Sequence, residues 1–216
     1  MRHAVEQVLD ELMARYPALA AAKADIVKAY QLLEKTYEGG GKVLCAGNGG
    51  SAADAEHIVG ELMKGFHLAR ALAPGERAAL EKAGGEQGRW LGERLQGALP
   101  ALSLVGNVAL QTAFSNDVDG AAGVAQQVYA LGTTGDVFWG LSTSGNSQNI
   151  LLGAIAAKAK GTKVLGLTGE SGGKLKALAD VCICVPHTRV DCIQELHLPV
   201  YHCLCAMLEV RFFGQA

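Results

Sequence analysis

His57 and Glu61 form the first pair of residues in this 216-residue chain whose types and spacing suggest chemistry. They lie four positions apart in a helical pattern over 51–66, so they share one face of that helix. An imidazole and a carboxylate at this spacing can bind a divalent metal ion or exchange a proton with a substrate. An ordinary surface pair has the same spacing, so the pair alone leaves all these alternatives open.

A second group of polar residues lies in the predicted helix over 192–213 and just before it. Its members are Asp191, Gln194, Glu195, His197 and His202. At about 100° per residue, Gln194 and His202 fall about 80° apart, on one broad stripe of the helix. Apolar neighbours surround the polar groups of both helices, which indicates that the helices bring these groups together. Pro199 removes a helix hydrogen bond, so we expect a bend there.

Residues 142–147 form a loop rich in hydroxyl groups, with the sequence Ser-Thr-Ser-Gly-Asn-Ser. The loop follows an apolar run and opens a helical pattern, as do the glycine-rich loops over 47–51 and 168–173. Hydroxyls and the free N–H groups of a helix N-terminus can bind a phosphate monoester without a fixed counter-charge. Turns and helix caps use the same residue types. The density of hydroxyls after a strand favours the phosphate site.

Two other kinds of phosphate ligand fit the sequence less well. The GxxxxGK[ST] pattern of nucleoside triphosphate sites is absent. Gly47-x-Gly49-x-x-Ala52 does match the dinucleotide fingerprint GxGxxA. That fingerprint requires an acidic residue about 20 positions later, at the end of the next strand. The irregular segment 67–100 occupies this interval, so dinucleotide binding is the weaker alternative.

Five short apolar runs supply the strands that must position these residues. The runs lack polar alternation, as strands buried on both faces do. They span 43–46, 101–105, 137–141, 164–167 and 181–185. Helical patterns lie between them, at 51–66, in two pieces over 107–131, at 147–160, at 173–179 and at 192–213. This alternation predicts an α/β fold, a three-layer sandwich with a five-stranded parallel sheet and helices on both faces, which binds ligands at the carboxyl ends of its strands.

The sequence predicts one domain over 1–216, with two additions to this core. Residues 1–40 contain two amphipathic helices, with stripes such as Val5, Leu9 and Leu12 or Ile26, Tyr30 and Leu33. These helices can pack on their own domain or on a partner subunit, and we favour the partner. The inserted segment 67–100 has short helical pieces around 76–83 and 89–96, and is either a surface excursion or a lid or subunit contact near the site.

Composition excludes several classes of protein. The 19 basic and 21 acidic residues leave a charge of −2, so no basic excess is available for nucleic acid. No apolar stretch is long enough for a membrane span, and the N-terminus does not have the pattern of a signal peptide. The six cysteines lack disulfide or metal-ribbon spacing. We therefore expect a cytoplasmic protein with buried thiols, bound to neither nucleic acid nor membrane.

Together these motifs resemble the phosphoheptose isomerases of the sugar isomerase (SIS) domain superfamily, whose sheet is flavodoxin-like. The resemblance covers about residues 42–210, except 67–100, and the N-terminal helices fit as well. It rests on Gly47-Asn48-Gly49-Gly50-Ser51, Asp54, His57, Glu61, Ser115-Asn116-Asp117, Ser142 to Ser147, Asp191-x-x-Gln194-Glu195-x-His197 and His202. The glycine loop or the 142–147 loop alone would indicate only the superfamily.

The resemblance implies a role for each matching position. It implies a phosphate cradle of Ser142, Thr143, Ser144 and Ser147. It implies substrate contacts at Asn48, Gly49, Gly50, Ser51, Glu61, Asn116, Asp117, Asp191 and Gln194. It implies one zinc ion per subunit on His57, Glu61, Gln194 and His202, with Glu61 and His202 as the proton-transfer pair. The implied reaction interconverts sedoheptulose 7-phosphate and D-glycero-D-manno-heptose 7-phosphate through an enediolate, in a homotetramer with shared active sites.

Proteins with two other functions have this fold. One is a non-catalytic SIS adaptor that binds a replication-initiation protein, and the other is a sugar-phosphate-sensing regulator. The adaptor has no reason to hold His57, Glu61, Gln194 and His202 together, and no DNA-binding helical module precedes the domain as in a regulator. The chain also departs from the family pattern at three places near the expected sugar site. The segment 67–100 is longer than expected, and Pro199 lies inside the last helix. Residues 62–66 lack the Gly-Arg pair that the family more often has there.

Overall fold

The computed structural model describes residues 3–214, so the predicted domain limits at 1 and 216 lie outside the described residues. Its centre is a five-stranded parallel sheet in the order β2-β1-β3-β4-β5. The strands are β1 (Val43–Ala46), β2 (Ala101–Ser103), β3 (Val137–Leu141), β4 (Lys163–Thr168) and β5 (Val181–Cys184). The predicted α/β class and the parallel sheet are confirmed.

Helices cover both faces of this sheet. They are α1 (His3–Arg15), α2 (Lys23–Glu38), α3 (Gly50–Met63), α4 (Pro74–Gly92), α5 (Val108–Phe114), α6 (Gly123–Leu131), α7 (Gln148–Ala159), α8 (Gly173–Leu178) and α9 (Val190–Phe213). Short 3-10 turns over Pro17–Ala22 and Gly120–Ala122 and a π turn over Ser115–Asp119 connect some of them. Within residues 3–214, none of the helices combines the length and the apolar character of a membrane span.

The central strands are buried on both faces, which explains why their sequences show no polar alternation. In β3, Trp139 faces the core under α1, α2, α3 and α9, while the preceding Phe138 faces the core under α6, α7 and α8. Both side chains are completely buried. The expectation of burial on both faces is wrong for β2 and β5, because these strands form the two edges of the sheet. Leu102 in β2, for example, is 42% exposed.

The N-terminal helical pair packs on its own chain rather than on a partner. Leu9 of α1 and Leu33 of α2 are buried in the same core as Leu204 of α9. The expected subunit-facing role is therefore wrong for these stripes. Helix α9 is apolar around most of its circumference, so it needs cover from α1 and α2 as well as from the sheet.

The segment 67–100 contains two short helical pieces, as the sequence predicts, and the second one lies earlier in the chain than expected. Helix α4 runs from Pro74 to Gly92 and breaks at Gly85, whose φ of 57° lies in the left-handed region. Beyond the break the chain doubles back, and a Cβ at Gly88 would lie 1.9 Å from the carbonyl oxygen of Leu80. Only glycine allows so close an approach, so α4 is a helical hairpin. Ala71 and Gln96 form an antiparallel bridge at its base.

Candidate active site

Helix α3 begins immediately after β1, at the carboxyl edge of the sheet. Its first residue is Gly50 and its cap is Gly49, which has a φ of 55° and no side-chain cap bond. A Cβ at Gly50 would lie 2.6 Å from Nε2 of Gln194, so glycine allows α9 to approach the start of α3. Ser51 and Asp54 have the spacing of a capping box, but the helix starts one residue before Ser51 and the two side chains do not form one. Asp54 instead accepts a hydrogen bond from the Tyr201 hydroxyl of α9.

Three polar side chains meet between α3 and α9, and we call His57, Glu61 and His202 the helical cluster. Nε2 of His57 lies 3.0 Å from Oε1 of Glu61, and Nε2 of His202 lies 3.2 Å from the same oxygen. The two imidazole rings meet edge to face with their centroids 5.0 Å apart. The carboxylate therefore lies between two imidazoles that the chain supplies from distant positions.

Burial changes the proton affinities in the helical cluster. The Glu61 side chain is only 7% exposed, and burial raises its pKa, although the neighbouring His57 acts to lower it. Burial also lowers the pKa of His202, and the positive charge that His57 can carry lowers it further. Both shifts bring the proton affinities of the carboxyl and the imidazole closer together. Such a match suits a pair of groups that exchange protons with a substrate.

The helical cluster is also a set of metal donors. One ligand atom from each of its three residues lies within 4.8 Å of the others. Oε2 of Glu61 and Nε2 of His202 are buried without a hydrogen-bond partner among residues 3–214. Two imidazoles and a carboxylate are donors that fit a zinc ion with one coordination position left for water or substrate. Gln194, the fourth predicted ligand, lies against Gly50 at the start of α3.

The hydroxyl loop, residues 142–147, lies between the end of β3 and the start of α7. Ser142 is buried and donates a hydrogen bond of 3.0 Å to Oγ of Ser147, the residue that caps α7. Oγ of Ser144 accepts a hydrogen bond of 3.1 Å from the backbone N–H of Asn146. Gly145 has a φ of 64° and faces the backbone of Gly172, where a Cβ would not fit. The loop thus presents hydroxyls beside a helix N-terminus, which suits an anion.

A pair of asparagines joins the hydroxyl loop to the glycine loop after β1. Asn48 donates a hydrogen bond of 2.9 Å to Asn149, and Asn149 donates one of 2.8 Å back to Asn48. Because β1 and β3 are neighbours in the sheet, their carboxyl ends bring these two loops side by side. The start of α3 and the start of α7 therefore border one region of the sheet edge.

Open space adjoins both groups. A cavity of about 290 Å³ lies beside His202, between α1 and α9, and Arg15, Phe66 and His67 also line it. A second cavity of about 450 Å³ is bordered by Thr143 and Ser144 of the hydroxyl loop. Cavities therefore adjoin His202 and, separately, the hydroxyl loop.

Comparison with known proteins relates this geometry to a family. The model of the SIS domain family matches residues 7–92 and 93–169. A phosphoheptose isomerase from Synechocystis sp. is 36% identical over 98% of this chain and 94% of its own length. The chain belongs to the phosphoheptose isomerase family of SIS-domain proteins. The phosphoheptose isomerase from Rhodospirillum rubrum is 40% identical over 85% of this chain and 84% of its own length.

The solved structures agree with this membership. Phosphoheptose isomerase GmhA from Neisseria gonorrhoeae has a TM-score of 0.71 and 32% identity, over 94% of this chain and 97% of that chain. The resemblance read from the motifs is confirmed, and with it the SIS fold and the enzyme class, a phosphosugar isomerase.

Three residues that the phosphoheptose isomerase motifs single out lie apart from the helical cluster. Asn116 and Asp117 are exposed on the π turn after α5, where Asn116 donates a hydrogen bond of 2.8 Å to Asp117. Asp191 is exposed at the start of α9 and forms an ion pair of 2.6 Å with Arg189. Within residues 3–214, no hydrogen bond or ion pair links these three side chains to the helical cluster.

A buried ion pair that the motifs of this isomerase family do not reveal holds the end of α3. Arg70 and Glu209 are completely buried, with Nε of Arg70 2.8 Å from Oε1 of Glu209. Arg70 also donates to the carbonyl oxygens of Glu61 and Leu62, at 3.0 and 2.7 Å. These carbonyls belong to the last turn of α3, where no helical partner remains for them. The ion pair therefore fixes the backbone of Glu61.

Glu209 also fixes the chain beyond α3. Its carboxylate accepts hydrogen bonds from the consecutive backbone N–H groups of Phe66, His67 and Leu68, at 2.8, 2.7 and 3.0 Å. The Phe66 ring then lies 5.5 Å from the ring of His202, centroid to centroid. The sequence offered no signal for this arrangement, because charged residues such as Arg70 and Glu209 are usually exposed.

Proposed function

We propose that this phosphosugar isomerase interconverts a ketose phosphate and an aldose phosphate of seven carbons, sedoheptulose 7-phosphate and D-glycero-D-manno-heptose 7-phosphate. The observation that carries the proposal is the buried carboxylate of Glu61 between the imidazoles of His57 and His202. The names of the relatives, which are phosphoheptose isomerases, support the seven-carbon substrate. An adaptor would need no such buried set of acid and base groups.

The proposed reaction moves one proton between two neighbouring carbons. Starting from the ketose, the Glu61 carboxylate removes a proton from C1, and the carbonyl oxygen on C2 gains a proton, which gives an enediol. Glu61 then returns a proton to C2 while the hydroxyl on C1 loses its proton and becomes the aldehyde. We assign the transfer of the oxygen-bound protons to the ring of His202, which lies next to the Glu61 carboxylate. No atom is gained or lost overall.

We propose that His57, Glu61, His202 and Gln194 hold one zinc ion per subunit. The unpaired Oε2 of Glu61 and Nε2 of His202, buried among residues 3–214, support this assignment. When bound, zinc supplies a Lewis acid that stabilises negative charge on the substrate oxygens. Glu61 remains the residue that moves the carbon-bound proton.

We propose that the hydroxyl loop binds the phosphate through Ser142, Thr143, Ser144 and Ser147. Hydroxyls and the free N–H groups of α7 converge there, and binding the remote phosphate orients the reacting carbons. The proposed sugar contacts are Asn48, Gly49, Gly50, Ser51, Asn116, Asp117, Asp191 and Gln194. The asparagine pair that joins the two loops supports a single substrate path between them.

We also propose a cytoplasmic homotetramer with shared active sites. Asn116 and Asp117 lie on an exposed segment, and Val118, the next residue, is 68% exposed. An exposed apolar side chain beside predicted substrate contacts suits a subunit interface. The six thiols are free, as in a reducing compartment. The domain proposal remains one SIS domain over 1–216, with the helical pair 1–40 and the inserted segment 67–100.

The test is an NMR-monitored assay of ketose phosphates of five, six and seven carbons in deuterated water, with the full chain and added zinc. We expect fastest turnover of the seven-carbon substrate, with deuterium from the solvent at C2 of the aldose. Faster turnover of a shorter sugar phosphate would contradict the proposed seven-carbon substrate but would still agree with the proposed type of reaction. If no sugar phosphate is converted, the isomerisation itself is wrong and an adaptor function gains support.

A further inference from the structure

Tyr201 links α9 to α3 next to the helical cluster. It precedes His202 in α9 and is completely buried. Its hydroxyl lies 3.2 Å from Oδ1 of Asp54 and 3.0 Å from Nδ1 of His57, both on α3. Consecutive residues of α9 thus contact the two sides of one imidazole–carboxylate pair, Tyr201 at His57 and His202 at Glu61.

The direction of these hydrogen bonds follows from the single proton of the hydroxyl. A carboxylate only accepts hydrogen bonds, so Tyr201 donates its proton to Asp54. The phenol oxygen can then only accept a hydrogen bond from His57. Nδ1 of His57 must therefore carry a proton and donate it to that oxygen. This arrangement fixes a proton on Nδ1 of His57 and leaves Nε2 as the nitrogen that can bind a metal ion.

The other ring nitrogen points toward the helical cluster. Nε2 of His57 lies 3.0 Å from Oε1 of Glu61, a distance at which a proton on Nε2 is shared with the carboxylate when no metal ion is bound. A divalent metal ion takes the place of that proton, and Nδ1 keeps its own. Tyr201 therefore holds a proton on the nitrogen that a metal-bound histidine must keep protonated.

We propose that Asp54 and Tyr201 are positioning residues, a carboxylate–hydroxyl–imidazole relay that holds His57 in the tautomer and orientation that bind a divalent metal ion. The inference rests on the proposed metal site and extends it by two residues that do not themselves bind the metal. His57 needs such support because its side chain is 49% exposed. Without the hydrogen bond to Tyr201, its ring would be free to turn and to exchange tautomers.

The first arm of the test measures zinc binding to metal-free full-length protein by titration calorimetry with a competing chelator. We expect Tyr201→Phe, which keeps the buried ring, to weaken zinc binding by about 10- to 100-fold, the usual effect of losing a residue that supports a metal ligand. Tyr37→Phe is the matched control, since Tyr37 is a buried tyrosine whose hydroxyl contacts the carbonyl oxygen of Pro100 instead. The control should bind zinc as the wild type does.

A second pair of variants tests the carboxylate. Asp54→Ala removes the acceptor, whereas Asp54→Asn keeps an oxygen that can accept from Tyr201. We expect the alanine variant to resemble Tyr201→Phe and the asparagine variant to retain most of the affinity. Equal losses in both would contradict a role based on the hydrogen bond.

The second arm uses the nitrogen chemical shifts of His57 in metal-free protein, which report the tautomer without any activity. We expect protonated Nδ1 in the wild type, whereas in Tyr201→Phe the tautomer protonated only at Nε2, which donates to Glu61, should gain population. If the wild type binds zinc but Tyr201→Phe has the same affinity and tautomer, the relay is wrong and the metal site stands. If the wild type binds neither zinc nor another divalent metal, the proposed metal site is wrong, and so is the positioning role of Asp54 and Tyr201, which depends on it.

Discussion

The helical cluster and the hydroxyl loop are built in opposite ways. His57, Glu61 and His202 come from two helices and depend on contacts between distant parts of the chain. The six residues of the hydroxyl loop are consecutive and bond largely to one another. The cluster leaves buried polar atoms without a hydrogen-bond partner among residues 3–214, whereas the buried hydroxyl of Ser142 in the loop is paired with that of Ser147.

This difference matches what each region must do. A proton transfer depends on donor and acceptor positions within a fraction of an ångström, so the groups need rigid support from a packed core. An anion site tolerates more adjustment, because several hydroxyls and N–H groups share one charge. The buried ion pair of Arg70 and Glu209 supports the cluster, while the loop is held by the turn at Gly145 and by hydrogen bonds to the segment 167–175.

The most severe test of the cluster is the Glu61→Gln variant. Loss of the carboxylate removes the proposed base, so we expect the turnover number to fall by about 10²- to 10⁴-fold. Steady-state kinetics measures the effect, and circular dichroism checks that the fold is retained. Glu81→Gln, at an exposed surface carboxylate of α4, is the matched control and should keep full activity. Retained turnover in Glu61→Gln would remove Glu61 from the mechanism.

Arg70→Met tests whether the cluster depends on buried support. The variant leaves the Glu209 carboxylate buried without its cation, which costs about 3–5 kcal/mol of the free energy of unfolding. Denaturant titration at a fixed protein concentration measures this loss. Arg89→Met breaks an exposed ion pair with Glu81 and should cost at most about 1 kcal/mol. Similar losses in both variants would mean that burial adds nothing to the pair.

A third test concerns His197, which is completely buried on α9 between Gln194 and His202. Burial lowers the pKa of His197 to about 4. An unfolded histidine has a pKa of about 6.5, so between these values only the unfolded chain gains the proton. The free energy of unfolding should therefore fall as pH drops from about 6.5 to 4, by on the order of 3 kcal/mol.

Denaturant titrations between pH 4 and 7 compare the wild type with His197→Gln, which lacks the titrating ring. The difference in unfolding free energy between the two should shrink as pH falls. His3→Gln, at an exposed position of α1, should follow the wild type. An unchanged difference across this range would show that His197 does not remain neutral in the folded chain.

The local parts of both regions could be predicted from the sequence. The apolar run over 137–141 became β3, and the hydroxyl loop follows it as expected. The four-residue spacing of His57 and Glu61 placed both on one helical face, because helix periodicity is a local property. Each of these predictions needed only the residues within one element.

Long-range contacts could not be read in the same way. Tyr201 stood among the apolar neighbours of α9, and nothing in its position showed that its hydroxyl would meet Asp54. Asp54 itself had the pattern of a capping residue, and tertiary contact with α9 overrode that local preference. Arg70 gave no signal because it lies in the irregular segment that follows α3. The side chains that come into contact depend on how α9 packs across α3. The spacing of apolar residues within each helix does not predict that packing.

The smallest expected effect belongs to the hydroxyl loop. Ser144→Ala removes one of several donors to the proposed phosphate, and one hydrogen bond to a charged group is worth about 1.5 kcal/mol. We therefore expect KM to rise by about tenfold while kcat changes little, since the helical cluster is untouched. Thr162→Val removes a hydroxyl just before β4, at the opposite edge of the sheet, and should leave KM unchanged. If Ser144→Ala lowers kcat and leaves KM as it was, the loop acts in the chemical step and the division between the two regions is wrong.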